Sequence, residues 1–185
     1  MLQSLYRILS PLLGGLLMTG IAHAAPLTDK QIFGLHEHVY LAELGVGLKA
    51  KLDTGATTSS LSARNIQRFK RDGESWVRFQ LAYDKAPEHY YEQPVARVSR
   101  IKKRADDFDP EEDKTYSARP VINLTLHIGE RQESIEVNLT DRSAFKYPFL
   151  LGATGLEAIG GIVDPSLRMT AGKPVQPQIN NSLSE

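Results

Sequence analysis

Two runs near the end of the chain, VINLTLHI (121–128) and IEVNL (135–139), place apolar residues at every second position: Ile122, Leu124, Leu126 and Ile128, then Ile135, Val137 and Leu139. Period two is the mark of a strand with one buried face, because successive side chains point to opposite sides of a sheet. Gly129-Glu130 between the runs is a hairpin signal. The chain is therefore committed to antiparallel sheet. The same period recurs at Leu48-Lys-Ala-Lys-Leu52, at Trp76 to Leu81, and from Pro94 to Ile101 through Val95, Val98 and Ile101. Phe33 to Leu48 supplies short apolar pieces separated by Gly34, Gly45 and Gly47. One short helix is predicted over Asn65 to Arg71, ended by Asp72-Gly73. Short strands at close spacing with little helix predict an all-β barrel or sandwich.

The two ends are different in kind. Residues 1–24 run from one cation, Arg7, through an apolar stretch from Ile8 to Ile21, to Ala22-His23-Ala24. That order resembles a secretory signal peptide cut before Ala25; the stretch contains Pro11 and Gly14-Gly15 and is short for a membrane span, though an uncleaved anchor is the alternative. Cleavage leaves 161 of the 185 residues, with 21 basic and 22 acidic side chains, enough for one domain over residues 25–170. From Ala171 to Glu185 the Pro, Asn and Ser content predicts a disordered tail. Near-neutral charge gives no case for nucleic acid. The absence of cysteine excludes disulfides, thiolate metal sites and a cysteine nucleophile together.

Chemistry has its best candidate in KLDTGATTSSL, residues 51–61. Asp53 has two readings. It can be the turn former that ends a strand, or the N-cap of the next element. It can also be a catalytic acid-base group, presented by a tight turn in which Gly55 lets the chain fold back and the Thr54 hydroxyl braces the loop. Two such carboxylates side by side cannot both ionise, so the pair keeps one proton and offers an acid and a base together. Further on, residues 102–119 (KKRADDFDPEEDKTYSAR) are dense in both charge signs and read as a solvated loop.

KLDTGATTSSL resembles the active-site segment of retropepsin-like aspartic peptidases, in which an apolar pair precedes Asp-Thr-Gly-Ala. Phe149-Leu150-Leu151-Gly152 is similar to the apolar-apolar-glycine segment that threads beside that loop. With HEHVYLAELGVG, FKRDGESWVRF, RPVINLTLHIG and LTDRSAFKYPFLLGATGLEAIGGIVDPSL, most of residues 34–168 resembles the bacterial branch of that family labelled ATP-dependent zinc protease. The resemblance implies a small closed barrel of six to seven strands. It implies catalysis by Asp53, Thr54 and Gly55, one aspartate from each chain of a homodimer, with Ala56, Leu150, Leu151 and Gly152 at the substrate. Members often occur beside ATP-grasp ligases that add glutamate, which implies a glutamate-rich or isopeptide-linked substrate. For such a substrate Lys102, Lys103 and Arg104 are the nearest concentrated positive charge. The family's arginine after Leu-Leu-Gly is replaced here by Ala153-Thr154, and no glycine occurs between Gly73 and Gly129 to make a glycine-rich flap, so segment 102–119 is the flap candidate.

Other chemistries find less. His36 and His38 are two apart on one strand face, while His89 and His127 are isolated, so no metal site and no cofactor is expected. No phosphate-binding glycine loop and no G-x-S-x-G occurs, and Ser59, Ser60 and Ser62 are read as packing the turn. Asp141 and Asp164 sit in Thr-Asp-Arg and Val-Asp-Pro, where a salt bridge or a turn accounts for them. Two functions remain: an exported, periplasmic aspartic peptidase built from two chains, or a non-catalytic binding or regulatory module on the same barrel.

Overall fold

The computed structural model describes residues 30–102 and 116–174. Its strands are β1 (Gln31–Gly34), β2 (His36–Leu41), β3 (Val46–Asp53), β4 (Ser59–Arg71), β5 (Glu74–Leu81), β6 (Tyr91–Pro94), β7 (Arg97–Lys102), β8 (Tyr116–Ile128), β9 (Arg131–Thr140), β10 (Phe149–Gly152) and β11 (Gly161–Asp164). A 3-10 turn, Ala42–Leu44, joins β2 to β3, and one α-helix, α1 (Ala153–Ala158), follows β10. Pairing runs β10-β3-β2-β8-β9-β4 and returns from β4 to β10, which closes a six-stranded barrel. The expected all-β fold is present. β5 and β6 continue from β4 outside the ring, β7 pairs with β8, and β1 pairs with β11 as a separate two-stranded parallel sheet.

Alternation fills the barrel. Val46, Leu48, Ala50 and Leu52 of β3, Ile122, Leu124, Leu126 and Ile128 of β8, and Ile135, Val137 and Leu139 of β9 all face the core. Phe33, Phe79 and Phe149 are the largest side chains there. Each fully buried leucine or isoleucine contributes about 1.5–3 kcal/mol of transfer free energy, so the interior carries the fold without a disulfide. The β8–β9 hairpin forms as its pattern predicts, with Ile128 opposite Arg131 and Gly129 at a φ of 55°.

Three local expectations are corrected. Residues 65–71 are not helix but the outer half of β4, with Phe69 opposite Trp76 and Arg71 opposite Glu74. Asp72 and Gly73 have φ of 51° and 83°, the two left-handed residues of a tight hairpin turn, so the pair reverses a strand where a helix stop was expected. Residues Pro94 to Ile101 are not one strand: Val95 and Ala96 separate β6, which pairs with β5, from β7, which pairs with β8. The charged segment is not all loop, because Lys102 ends β7 opposite Tyr116 and residues 116–119 belong to β8. Ala171 is still tied to the barrel, its N–H donating to the Glu37 carboxylate at 3.1 Å. Residues 1–29, 103–115 and 175–185 lie outside the described residues, and with them the predicted signal, Lys103, Arg104 and most of the predicted tail.

Candidate active site

Asp53 is the last residue of β3, and the next turn leaves Thr54 and Gly55 exposed with Ala56 half-buried. Its Oδ1 accepts from the Gly55 N–H at 3.1 Å, and its carbonyl accepts from the Ala56 N–H at 3.3 Å. The turn-former reading of Asp53 is met, and its side chain keeps 27% of its surface open. Lys51, two residues back on the same face of β3, sets its Nζ 3.3 Å from Asp53 Oδ2. Burial pushes the Asp53 carboxyl up. The Gly55 N–H, the Lys51 ammonium and the Ala56 N–H outweigh it and hold the group below the usual aspartate range.

The turn is gripped from behind. β10 runs parallel to β3 and antiparallel to β4 at once, placing Leu150 opposite both Lys51 and Ser60, and Gly152 opposite Asp53. At Gly152 a Cβ would lie 2.7 Å from the Thr58 carbonyl carbon and 2.8 Å from the Ala56 oxygen, so only glycine lets the two backbones pass. The Gly152 N–H donates to Ser59 Oγ at 3.1 Å, the Ala153 N–H to the Ala56 carbonyl at 2.7 Å, and both the N–H and the hydroxyl of Thr154 to the Thr57 carbonyl at 3.1 and 2.9 Å. Leu150 and Leu151 are both buried, and Leu151, completely so, belongs to the core behind the turn.

A profile of the RimB-like family, described as retropepsin-like aspartic endopeptidase RimB, matches residues 32–174. The chain belongs to the RimB-like family. It is 34% identical over 149 residues to a probable alpha-L-glutamate ligase of Desulfotalea psychrophila, covering 78% of this chain and 30% of that protein. It is 36% identical over 145 residues to a protein of the same description from Parasynechococcus marenigrum, covering 75% of this chain and 29% of the relative. The chain thus spans under a third of the length of the curated relatives it matches. Among solved structures it is similar to Lpg0085 of Legionella pneumophila, a DUF785 protein of unknown function. The TM-score is 0.63 at 32% identity, covering 78% of this chain and 99% of that one.

Within this RimB-like barrel the groups acting on Asp53 are backbone N–H groups and a cation, and no second carboxylate is among them. Asp141 and Asp164 each close a turn, accepting from the N–H of Ser143 and of Ser166 at 2.8 Å. Where the family's arginine is missing, Thr154 bonds the Thr57 carbonyl. Arg142 reaches the site from the loop after β9. Its Nη1 donates to Ser60 Oγ at 3.1 Å and its N–H to Ser62 Oγ at 3.0 Å, with Phe145 beneath the guanidinium at 4.6 Å. Burial and the charge of Arg119 push the Arg142 guanidinium down, and the Asp53 charge pulls it back. Lys51 and Arg142 are the functional candidates that sequence reasoning missed. Lys51 stood two residues from Asp53, the spacing that shares a strand face; Arg142 had no local signal.

The histidines are scattered over aromatic partners: His36 stacks on Tyr147 at 4.2 Å, His89 lies against Tyr91, and His127 meets Tyr40 edge-on. Among the described residues no three His, Asp or Glu side chains converge as a metal-binding set. Lys102 is the last residue of β7, on the hairpin whose connection contains Lys103 and Arg104.

Proposed function

We propose that this chain is an aspartic peptidase that acts as a homodimer, with Asp53 of each protomer forming the catalytic pair. The observation that carries the proposal is the turn of residues 53–56, which presents one partly open carboxylate on a backbone locked by Gly152. A water between the two carboxyls is the nucleophile. The ionised carboxylate takes a proton from this water as its oxygen attacks the peptide carbonyl carbon, and the protonated partner gives its proton to the carbonyl oxygen. In the second half the newly protonated carboxyl gives its proton to the leaving nitrogen. One hydroxyl of the diol returns its proton to the other carboxylate as the C–N bond breaks. The pair ends with one proton, as it began.

A glutamate-rich peptide or isopeptide is the proposed substrate, supported by relatives described as probable glutamate ligases and by the cations Lys51 and Arg142 around Asp53. The same relatives support the proposal of a functional link to a glutamate ligase system. Residues 1–24 are proposed to direct export to the periplasm; a mass for the cellular protein that includes Met1 would refute cleavage before Ala25. The competing reading, a binding or regulatory module, draws on one observation: Asp53 already has turn and ion-pair partners within its own protomer. The experiment incubates the protein and its Asp53→Asn variant with oligo-glutamate peptides and follows new termini by mass spectrometry. Cleavage by the parent and none by a folded Asn variant is expected. Equal turnover by the two would remove Asp53 from catalysis.

A further inference from the structure

The sheet fixes the backbone spacing behind the contact between Lys51 and Asp53. The two residues are two apart on β3, so they share a face, and β3 is held on both sides: His36 of β2 and Leu150 of β10 flank Lys51, and Gly152 of β10 flanks Asp53. Among the described residues Asp53 is the only acceptor that Lys51 meets, at 3.3 Å. The charged neighbours that follow from the surrounding elements are basic, and the Tyr147 phenol stacks on His36 at 4.2 Å. His38 and Lys49 continue the same face, Lys146 and Arg168 act with Lys51 on His36, and the Asp53 charge is felt by Arg142 on the loop after β9. Burial holds the His36 imidazole below its usual value, and the charges of Arg168, Lys146 and Lys51 add to that effect.

An aspartate pair works only while it holds one proton; with two it lacks a base and with none it lacks an acid. Like-charge repulsion between the carboxylates favours keeping that proton, and a cation beside each carboxylate opposes the repulsion. In a dimer of this chain two Lys51 ammoniums accompany two Asp53 carboxylates, so the fully ionised pair is neutralised in place. We propose that Lys51 is a positioning residue for the peptidase reaction, acting through Asp53 to set the upper pH limit at which the pair still holds its proton. This rests on the peptidase reading above and adds a charge control to the same site.

Two measurements on the full chain test it. The first follows the Asp53 carboxyl by carbon NMR against pH in the parent, Lys51→Met and Lys51→Arg. The Met variant keeps the aliphatic stem without the charge, and its Asp53 midpoint moves upward; the Arg variant keeps the charge and stays near the parent. The second records kcat/KM on an oligo-glutamate peptide against pH. The alkaline limb of Lys51→Met moves to higher pH, giving about a three-fold or larger gain at a pH on the falling limb of the parent. An unmoved Asp53 midpoint in the Met variant overturns the inference. So does a moved midpoint with an unmoved alkaline limb, because the charge would then not reach the reaction. A moved midpoint in a protein that cleaves no peptide at any pH refutes the peptidase reading, and the inference falls with it while the coupling stands measured.

Discussion

Glu37 is a fully buried carboxylate, and its removal is the sharpest test of how this barrel holds its end segment. Oε1 accepts from the Gly34 N–H at 2.6 Å, the Thr170 N–H at 3.0 Å and the Thr170 hydroxyl at 2.6 Å; Oε2 accepts from the Ala171 N–H at 3.1 Å. No cation lies within ion-pairing distance among the described residues, so donors alone hold the charge. In Glu37→Ala the Gly34 N–H keeps a bond to Thr170 Oγ1 at 3.0 Å, but the N–H groups of Thr170 and Ala171 lose their acceptor. Hydrogen bonds to charged groups are worth about 1.5–3 kcal/mol each, and the segment can relax toward water, so a loss of about 3–4 kcal/mol is expected. In Glu37→Gln the amide oxygen can keep the three Oε1 bonds, while the amide nitrogen faces the Ala171 N–H, donor against donor. The expected cost is about 1–2 kcal/mol. Urea unfolding followed by far-ultraviolet circular dichroism reads both. At a slope of about 2 kcal/mol/M the alanine variant should melt about 1.5–2 M earlier than the parent. An alanine midpoint within about 0.3 M of the parent, or a glutamine variant as weak as alanine, would refute this account of the clamp.

Gly152→Ala should lower stability by about 2 kcal/mol or more and shift the Asp53 turn, because the added Cβ meets backbone on three sides; amide shifts at Thr54 to Ala56 would show it, and an unperturbed spectrum would contradict it. The Asp53 carboxyl sits below its usual range when folded, so it contributes stability that is present above its unfolded value and lost as pH falls through its folded value. The stability gap between parent and Asp53→Asn should therefore shrink as pH is lowered from about 5 to about 2, and a gap independent of pH would contradict the hold of the Gly55 N–H and the Lys51 ammonium on the carboxylate. Replacing Lys102, Lys103 and Arg104 by serine should weaken capture of a glutamate-rich peptide more at low salt than at high salt and leave a neutral peptide unaffected; equal handling of both peptides by variant and parent would remove the triplet from recognition.

The parts of the molecule legible in the sequence are those whose physics is local. Alternation in β3, β5, β8 and β9 survives into the fold because each strand keeps one face on the core. Segment 65–71 misled because Ile66 and Phe69 are spaced as well for a helix as for a bulged strand, and β4 does shift register between Arg64 and Gln67. The Asp-Gly pair after it was the stronger signal, since a two-residue turn with both φ positive can only reverse a hairpin. Helix α1 was not legible. ATGLEA is six residues with an internal glycine and no side-chain cap, and its start is fixed by tertiary bonds from Ala153 and Thr154 to the turn at 56–57. Glu37 was hidden by its neighbours: His36-Glu37-His38 reads as a polar stretch, yet strand alternation sends the middle residue inward to meet donors from residues 34 and 170–171.

The hydroxyl run behind Asp53 has the same explanation as the glycine of β10 that faces it. The turn at 53–56 is held without bulk, because β10 passes through the space where larger side chains would stand. Ser59 Oγ takes the Gly152 N–H, and its carbonyl takes the Asn138 side-chain amide at 2.7 Å. Ser60 Oγ takes Arg142, and Ser62 Oγ takes the Arg142 N–H while donating to the Ala82 carbonyl at 2.7 Å. Ser59 thus joins β4 to β10, Ser60 and Ser62 both join it to Arg142, Ser62 also reaches Ala82, and all three are buried. A buried hydroxyl without such a partner costs about 1–3 kcal/mol, so these serines are explained by their bonds and not by packing alone. Residues 53–62 therefore act as one unit, in which the acid faces out, the glycine turns, and the serines fasten the turn to β10, β9 and the Arg142 loop. That bracing fixes where the Asp53 carboxylate stands, which is what its proposed role in catalysis requires.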